Sequence, residues 1–393
     1  MKLRKRAYFA GVSHHNSVHV QFAPSQDDRF RVLVAAGGTG GHIFPAVAVV
    51  EQLQALTNNA CDAVFMGSRD RMEHTIIPAL GYRYVAMPIA GFKGLDLSTL
   101  TLPFKVLASI RIARQTIREF RPHAVVCTGA YISYPAGIAA AREGVPLIVL
   151  ESNLNPGKTN ARLAPHATSV VVAFAESIAR YPASLRSKLH DLGNPVRAQI
   201  DQRPTTRDAR AALQLDPDRP TVFVFGGSLG ARTINATIAQ HLSTIAEQPW
   251  QLLWQTGKGY TAPTSVPDNV RVVPFVENMG VAYAAADLVV SRSGATTIAE
   301  LGIVGKPAIF IPLPSASTNE QVHNAEVCVQ RNAAVLVRDA DLSSSLVPSI
   351  VDLMHDATRR ASMAAAMKEL GKPNAARDAA TLILHESGWR GHA

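Results

Sequence analysis

Hydrophobic positions along the chain come in short β-branched runs separated by longer stretches of helical spacing. The first run, residues 30–36 (Phe-Arg-Val-Leu-Val-Ala-Ala), reads as a buried parallel strand. A glycine turn follows, then a helix over about 43–56 with Val47, Val50, Leu53 and Leu56 at helical spacing. Strand-like runs recur at 63–66, 84–87, 124–127, 147–150 and 169–173, with helical segments between most of them. Such βα repetition predicts a parallel sheet covered on both faces. Residues 197–220 break the rhythm: Arg203-Pro204-Thr205-Thr206 and Leu215-Asp216-Pro217-Asp218-Arg219-Pro220 are polar and proline-rich, as in a linker or hinge. The opening device then repeats, with an apolar run at 221–225, the turn Gly226-Gly227-Ser228-Leu229-Gly230, and a helix from Ala231. Further runs lie at 251–254, 270–274, 288–290, 308–311 and 334–337. The fold class is therefore α/β, with two Rossmann-like domains over 30–196 and 221–393, the linker between them, and a flexible extension over 1–29. The last helix is placed to pack back on the first domain. Ligands of such sheets sit beyond the carboxyl ends of the strands, so both glycine turns should face the cleft between the domains.

Composition agrees with two domains, since 393 residues exceed the roughly 250–300 at which one core stops growing. With 47% hydrophobic and 18% charged residues, disordered and fibrous classes are excluded. The net charge of +9 is uneven. Residues 1–200 hold 22 Lys+Arg against 12 Asp+Glu (+10), and 201–393 hold 17 against 18 (−1). An anionic partner for the first half follows. Nucleic acid is the wrong anion, because aromatics are only 6% and single-strand binders need stacking platforms. Cys61, Cys127 and Cys328 form neither a disulfide framework nor a zinc spacing, which suits a reducing cytosol. No apolar run reaches the roughly 18–20 residues that span a bilayer. The basic start at 1–6 imitates a secretion signal, yet the apolar stretch behind it ends at His14-His15, so secretion is not expected.

Candidate chemistry concentrates after the strands. Gly37-Gly38-Thr39-Gly40-Gly41-His42 can bring backbone N–H groups and a helix N-terminus to an anion. It is not a dinucleotide fingerprint: Ile43 stands where the third glycine belongs, and Met66-Gly67-Ser68-Arg69 offers no acid for a ribose. No Gly-Lys-Ser/Thr follows, so it is no P-loop either; a ligand-free βα turn is the plain alternative. His42 is either a structural helix-start residue or a polar or catalytic group. Ser291-Arg292-Ser293-Gly294-Ala295-Thr296-Thr297 is a second loop suited to phosphate oxygens. Glu300, about one turn into the following helix, can accept a ribose diol or merely complement the dipole. Asn319-Glu320-Gln321 offers amide and carboxyl groups for sugar hydroxyls, with helix capping by Asn319 the alternative, and Glu151-Ser152-Asn153 points amide chemistry into the cleft. The strings Asp216-Pro217-Asp218 and Asp339-Ala340-Asp341 lie away from the glycine turns and are poor cation sites, and the sequence has no His-Glu-x-x-His string.

In this order and spacing, the Gly37–His42 turn, Gly226-Gly227-Ser228-x-Gly230-Ala231 and Arg292-Ser293-Gly294-Ala295-x-Thr297-x-x-Glu300 resemble the MurG family, the peripheral-membrane N-acetylglucosaminyltransferases of bacterial peptidoglycan synthesis. Supporting strings are Gly129-Ala130-Tyr131-Ile132-Ser133, Glu151-Ser152-Asn153, Gly193-Asn194-Pro195-Val196-Arg197 and Gln255-Thr256-Gly257-Lys258-Gly259, and the likeness runs from Arg31 to near the C-terminus. It implies a GT-B fold and inverting transfer of GlcNAc from UDP-GlcNAc to the 4-hydroxyl of MurNAc in undecaprenyl-pyrophosphoryl-MurNAc-pentapeptide (lipid I), giving lipid II and UDP. The implied roles put the Val276 backbone on the uracil edge and Glu300 on the ribose. Arg197, Ser228 and the turn Ala295, Thr296 and Thr297 serve the diphosphate, and Ile298 and Ala299 are further substrate-binding positions. Asn153 and Gln321 touch the GlcNAc, and Gly227, Leu229, Gly230 and Glu320 are further donor-side contacts. Thr39, Gly40 and Gly41 line the same cleft from the acceptor domain, where His42 is the candidate base or acceptor contact and Tyr131 a second acceptor-site candidate. Helix N-termini and Arg197 can neutralise UDP without a metal, and no cofactor is expected. The likeness also implies a place on the cytoplasmic face of the plasma (inner) membrane, roles in cell shape and division, and contacts with other cell-wall synthesis and division proteins. Two departures bear on donor selectivity: Leu229 where the family often has Gln, and Glu320 where it commonly has Gln or His.

The membrane contact would lie around Phe92 and along a helix from about 103 to 121, where Lys105, Arg111, Arg114, Arg118 and Arg121 face only Glu119, a net +4, beside Phe104, Leu107 and other apolar residues. The alternative is an ordinary Rossmann helix with a solvated basic face. A UDP-GlcNAc 2-epimerase shares the architecture, and Glu320 keeps that rival open.

Overall fold

The computed structural model describes residues 29–89, 101–227, 230–314 and 319–390. It contains two wholly parallel sheets. The first has seven strands in the order β3-β2-β1-β4-β5-β6-β7: β1 Phe30–Ala35, β2 Cys61–Ser68, β3 Arg83–Met87, β4 Ala124–Cys127, β5 Leu147–Glu151, β6 Ser169–Val172 and β7 Leu189–Asp191. The second has six in the order β10-β9-β8-β11-β12-β13: β8 Thr221–Phe225, β9 Gln251–Gln255, β10 Val270–Val273, β11 Leu288–Ser291, β12 Ala308–Phe310 and β13 Ala334–Leu336. Both sheets therefore reverse direction beside their first strand, and a doubly wound sheet opens its ligand crevice at that switch point. The central strands β4, β5, β6, β8, β9 and β11 are buried at every position, as helices on both faces require.

The edge strand β7 was not legible in the hydrophobic pattern, because only Leu189 of its three residues is buried. The span 197–220 carries more structure than its proline-rich composition suggests. Thr205 caps the helix Thr206–Ala212 by accepting from Asp208 N–H, and buried Arg210 reaches Asp287 at 2.7 Å and the Ala285 carbonyl at 3.1 Å. That helix is thereby fixed to the second sheet. The helix Ala375–Glu386 crosses back to the first: Ala379, Ala380 and Ile383 share a buried cluster with Phe30, Val49 and Leu53, and Trp389 packs edge-on to Phe30. The helix Gly40–Leu56, which begins at the first glycine turn, lies against it.

Candidate active site between the two sheets

The first glycine turn links β1 to the helix Gly40–Leu56, with Thr39 at the N-cap in extended conformation. Gly38 has φ +85°, a region that strongly favours glycine. Its N–H is held by a residue that sequence reasoning missed, Glu73, whose Oε2 accepts it at 3.0 Å. The N–H groups of Gly40 and Gly41, which open the helix, have no intrahelical acceptor. Across the cleft stands the turn after β11. Thr296 Oγ1 donates to the Gly41 carbonyl (3.4 Å) and accepts from Asn194 Nδ2 (3.3 Å), while Asn194 Oδ1 accepts from Ser152 Oγ (2.9 Å). One polar chain thus joins both loops and the ends of β5 and β7.

His42 projects from the first turn of its helix over Gly129, the residue before the helix Ala130–Glu143; a Cβ on Gly129 would lie 3.2 Å from the His42 ring. Burial holds its pKa below the ordinary imidazole value, against a hydrogen bond to the Thr128 carbonyl and the charge of Glu320. The ring is neutral at pH 7, and its Nδ1 has no hydrogen-bond partner among the described residues. It shares a cavity of about 200 Å³ with Glu151, Asn153, Lys158, Asn160 and Glu320. Glu151, buried at the end of β5, accepts from Asn153 N–H, Gly157 N–H and Asn160 Nδ2, each at 2.9 Å. Burial nevertheless pushes its carboxyl up to about 7. Sequence reasoning had Glu151 in a motif without assigning it a role; a carboxylate closing a buried strand was the available signal. Asn153 faces the second domain, where its Oδ1 accepts from Asn324 (3.1 Å) and the Leu154 N–H donates to Asn324 Oδ1 (3.0 Å).

In the second domain Gly294 begins the helix Ala295–Val304, and Glu300 is buried on its inner side. Burial pushes the Glu300 carboxyl up to about 7, against the Tyr283 hydroxyl, which donates to Oε2 at 2.8 Å, and the Arg197 charge. Arg197 lies over the Phe44 ring at 4.4 Å and, with the Gln199 amide turned oxygen-first, is held by it at 2.8 and 3.0 Å. The Val276 N–H is already used, donating to Gln255 Oε1 at 2.9 Å while Gln255 Nε2 donates to the Gly227 carbonyl at 3.2 Å. Gly230 has φ +77°, and a Cβ there would sit 2.1 Å from the Thr256 carbonyl oxygen. Gln321 commits Oε1 to the Leu313 N–H, Glu320 opens the helix Glu320–Gln330, and Asn319 precedes it at φ 51° without a side-chain cap. Capping therefore does not account for Asn319.

Other expected positions fall elsewhere. Tyr131 turns toward Arg71, Glu73 and Asp70 at the end of β2, and burial raises its phenol. Ile298 and Ala299 line, with Ala295 and Asn194, an interdomain cavity of about 170 Å³ that also holds Phe174, Leu370 and the cross-domain pairs Arg331–Glu176 and Lys372–Asp191. Thr297 lies partly exposed beside Thr296. In the acidic strings, Asp339 is paired with Arg292 and Asp218 with Arg207. Ser228, Leu229, Phe92 and residues 1–28 lie outside the described residues.

The basic helix is real, spanning Leu102–Phe120, with Phe104 73% and Leu107 63% exposed. Its charge is smaller than a count along the helix suggests, because Glu143 of the neighbouring helix pairs with both Arg114 (2.7 Å) and Arg118 (2.9 Å). Among the described residues no helix is long and apolar enough to cross a membrane.

Residues 32–172 match the N-terminal domain of glycosyltransferase family 28, and residues 221–381 match its C-terminal domain. The chain is 36% identical over 356 residues to the UDP-N-acetylglucosamine–N-acetylmuramyl-(pentapeptide) pyrophosphoryl-undecaprenol N-acetylglucosamine transferase of Parabacteroides distasonis, covering 88% of this chain and 96% of that protein. It is 37% identical over 354 residues to the transferase of that name from Christiangramia forsetii, covering 88% and 95%. The crystal structure of Acinetobacter baumannii MurG aligns with a TM-score of 0.71 at 27% identity, over 91% of this chain and 99% of that one. A UDP-GlcNAc 2-epimerase from Neisseria meningitidis aligns at 0.63 with 15% identity, over 91% of this chain and 100% of that one, a likeness of fold alone.

Proposed function

The chain belongs to glycosyltransferase family 28, and from that membership we infer that it transfers GlcNAc from UDP-GlcNAc to undecaprenyl-pyrophosphoryl-MurNAc-pentapeptide, producing lipid II and UDP for peptidoglycan. The observation that carries the reading is the meeting of the two glycine-bearing turns, Gly41 against Thr296, with the His42 and Glu151 pocket beside them. In the proposed mechanism the MurNAc 4-hydroxyl attacks the anomeric carbon as the bond to UDP breaks, inverting that centre. The hydroxyl proton passes to a base, and negative charge grows on the departing diphosphate. His42 suits the base because burial keeps its ring neutral and the residue lines the cavity shared with Glu151 and Glu320. The N-terminus of the helix Ala295–Val304, with Thr296, Thr297 and Arg197, suits the diphosphate. Glu300 suits the ribose, Asn153 and Gln321 the sugar. The Val276 carbonyl, rather than its occupied N–H, is the edge left for the base. Thr39, Gly40 and Gly41 take the acceptor side.

We further propose peripheral attachment to the cytoplasmic face of the inner membrane, through Phe104 and Leu107 with Lys105 and Arg111 around them. Purified protein given labelled UDP-GlcNAc and a short-chain lipid I analogue should release UDP and form the disaccharide; neither product would defeat the reading. His42→Ala should lower kcat by about a hundredfold or more, the usual share of a general base.

A further inference from the structure

Glu73 opens the short helix Glu73–Ala79 yet has no exposed surface, and its carboxylate points under the first glycine turn. Oε2 accepts the Gly38 N–H at 3.0 Å; Oε1 accepts the Ser68 N–H at 3.1 Å and the Ser68 hydroxyl at 2.6 Å. The carboxylate therefore ties the turn after β1 to the end of β2. Two further glycines make room for it. A Cβ on Gly37 would lie 2.5 Å from the Glu73 carboxyl carbon, and one on Gly67 would lie 2.7 Å from Cγ. A buried carboxylate is costly unless its oxygens are satisfied, so a site that commits three donors and two glycines to one is built around it. Its effect is directional: the Gly38 N–H is withdrawn into the fold, while at the start of the helix Gly40–Leu56 the His42 and Ile43 N–H groups return to the Thr39 carbonyl (3.1 and 3.2 Å) and those of Gly40 and Gly41 have no intrahelical acceptor.

We infer that Glu73 is a positioning residue for the acceptor substrate, holding the turn that carries Thr39, Gly40, Gly41 and His42. This rests on the reading of that turn as the acceptor side. Glutamine has the same shape but replaces one acceptor oxygen with a donor, so it must set an N–H against either Gly38 N–H or Ser68 N–H. Glu73→Gln should raise the KM for the lipid I analogue about tenfold, the worth of a single hydrogen bond to the substrate. The KM for UDP-GlcNAc should stay within about twofold, and amide exchange across residues 36–43 should quicken. A fall in kcat alone, with both KM values and the exchange unchanged, overturns the inference. Ser68→Ala removes one bond and leaves the carboxylate; it should move acceptor KM and exchange in the same direction by less, and it carries the test should Glu73→Gln fail to fold. Thr39→Ala separates the premises. If it leaves acceptor KM unchanged, the acceptor reading of the turn fails and the inference with it. If it raises acceptor KM while the Glu73 and Ser68 variants do not, the inference alone fails.

Discussion

Glu300 illustrates how one side chain can set a pH dependence for the whole enzyme. Its carboxyl ionises at about 7 in the folded state against an ordinary 4.5, because burial outweighs the Tyr283 hydroxyl and the Arg197 charge. Below 4.5 both folded and unfolded chains hold the proton. Between 4.5 and 7 only the folded chain holds it, so stability from this group falls as pH rises through that window and stays lower above it. The full effect is on the order of 3 kcal/mol. Glu300→Gln, which keeps an acceptor for Tyr283, should therefore gain thermal stability over the wild type progressively from pH 5 to pH 8. A difference that does not vary with pH would contradict the shifted ionisation. On the proposed ribose role the same group ties pH to the donor: the ionised carboxylate offers both oxygens to a diol where the acid offers one as a good acceptor, so the wild-type KM for UDP-GlcNAc should fall across this window and the variant's should stay flat. Glu300 was visible in the sequence as a carboxylate one turn into a helix, with ribose binding and dipole complementation equally open. Its partner Tyr283 was not visible, because that contact joins different helices.

At the scale of elements, the helix Leu102–Phe120 divides its residues cleanly. Ile110, Ala113, Ile117 and Phe120 are buried against the first sheet, and Phe104 and Leu107 stand in solvent near its start. Exposed large apolar residues beside cations are what a headgroup layer rewards. The periodicity of this helix was legible, and so was its basic character. Its effective charge was not, because Glu143, whose single negative charge is shared between Arg114 and Arg118, lies in another element. The distinction has a measurable consequence. Phe104→Ser with Leu107→Ser should cut binding to anionic vesicles about tenfold or more, since each side chain contributes roughly 1.5–3 kcal/mol when fully buried. Lys105→Gln with Arg111→Gln should weaken binding more steeply in low salt than Arg114→Gln with Arg118→Gln, although both remove two positive charges. Transfer to a water-soluble acceptor should persist in all of them. Equal sedimentation of wild type and the serine variant would remove this face from the membrane reading.

Across the molecule, the two-sheet plan was readable because each central strand is a continuous apolar run followed by a glycine turn. What joins the halves was not readable, because it consists of pairings between residues far apart in the chain: Thr296 with Gly41, Asn324 with Asn153, Arg331 with Glu176, Lys372 with Asp191. The helix Ala375–Glu386 is the largest such joint. Although it follows the second sheet in the chain, Ile383 has no exposed surface and shares a cluster with Phe30, Val49 and Leu53 of the first. That helix backs the helix Gly40–Leu56, which starts at the first glycine turn, so the helix Ala375–Glu386 supports that turn from behind. Ile383→Ala should cost about 2–5 kcal/mol, the range for deleting a buried isoleucine side chain to alanine. The loss should be local first. Amide exchange should accelerate in β1 and in the helix Gly40–Leu56, while β8 and β9 of the second sheet keep their protection. Equal acceleration in both sheets would mean that the halves open as one unit. No acceleration in β1 would mean that the terminal helix rests on the first domain without holding it together.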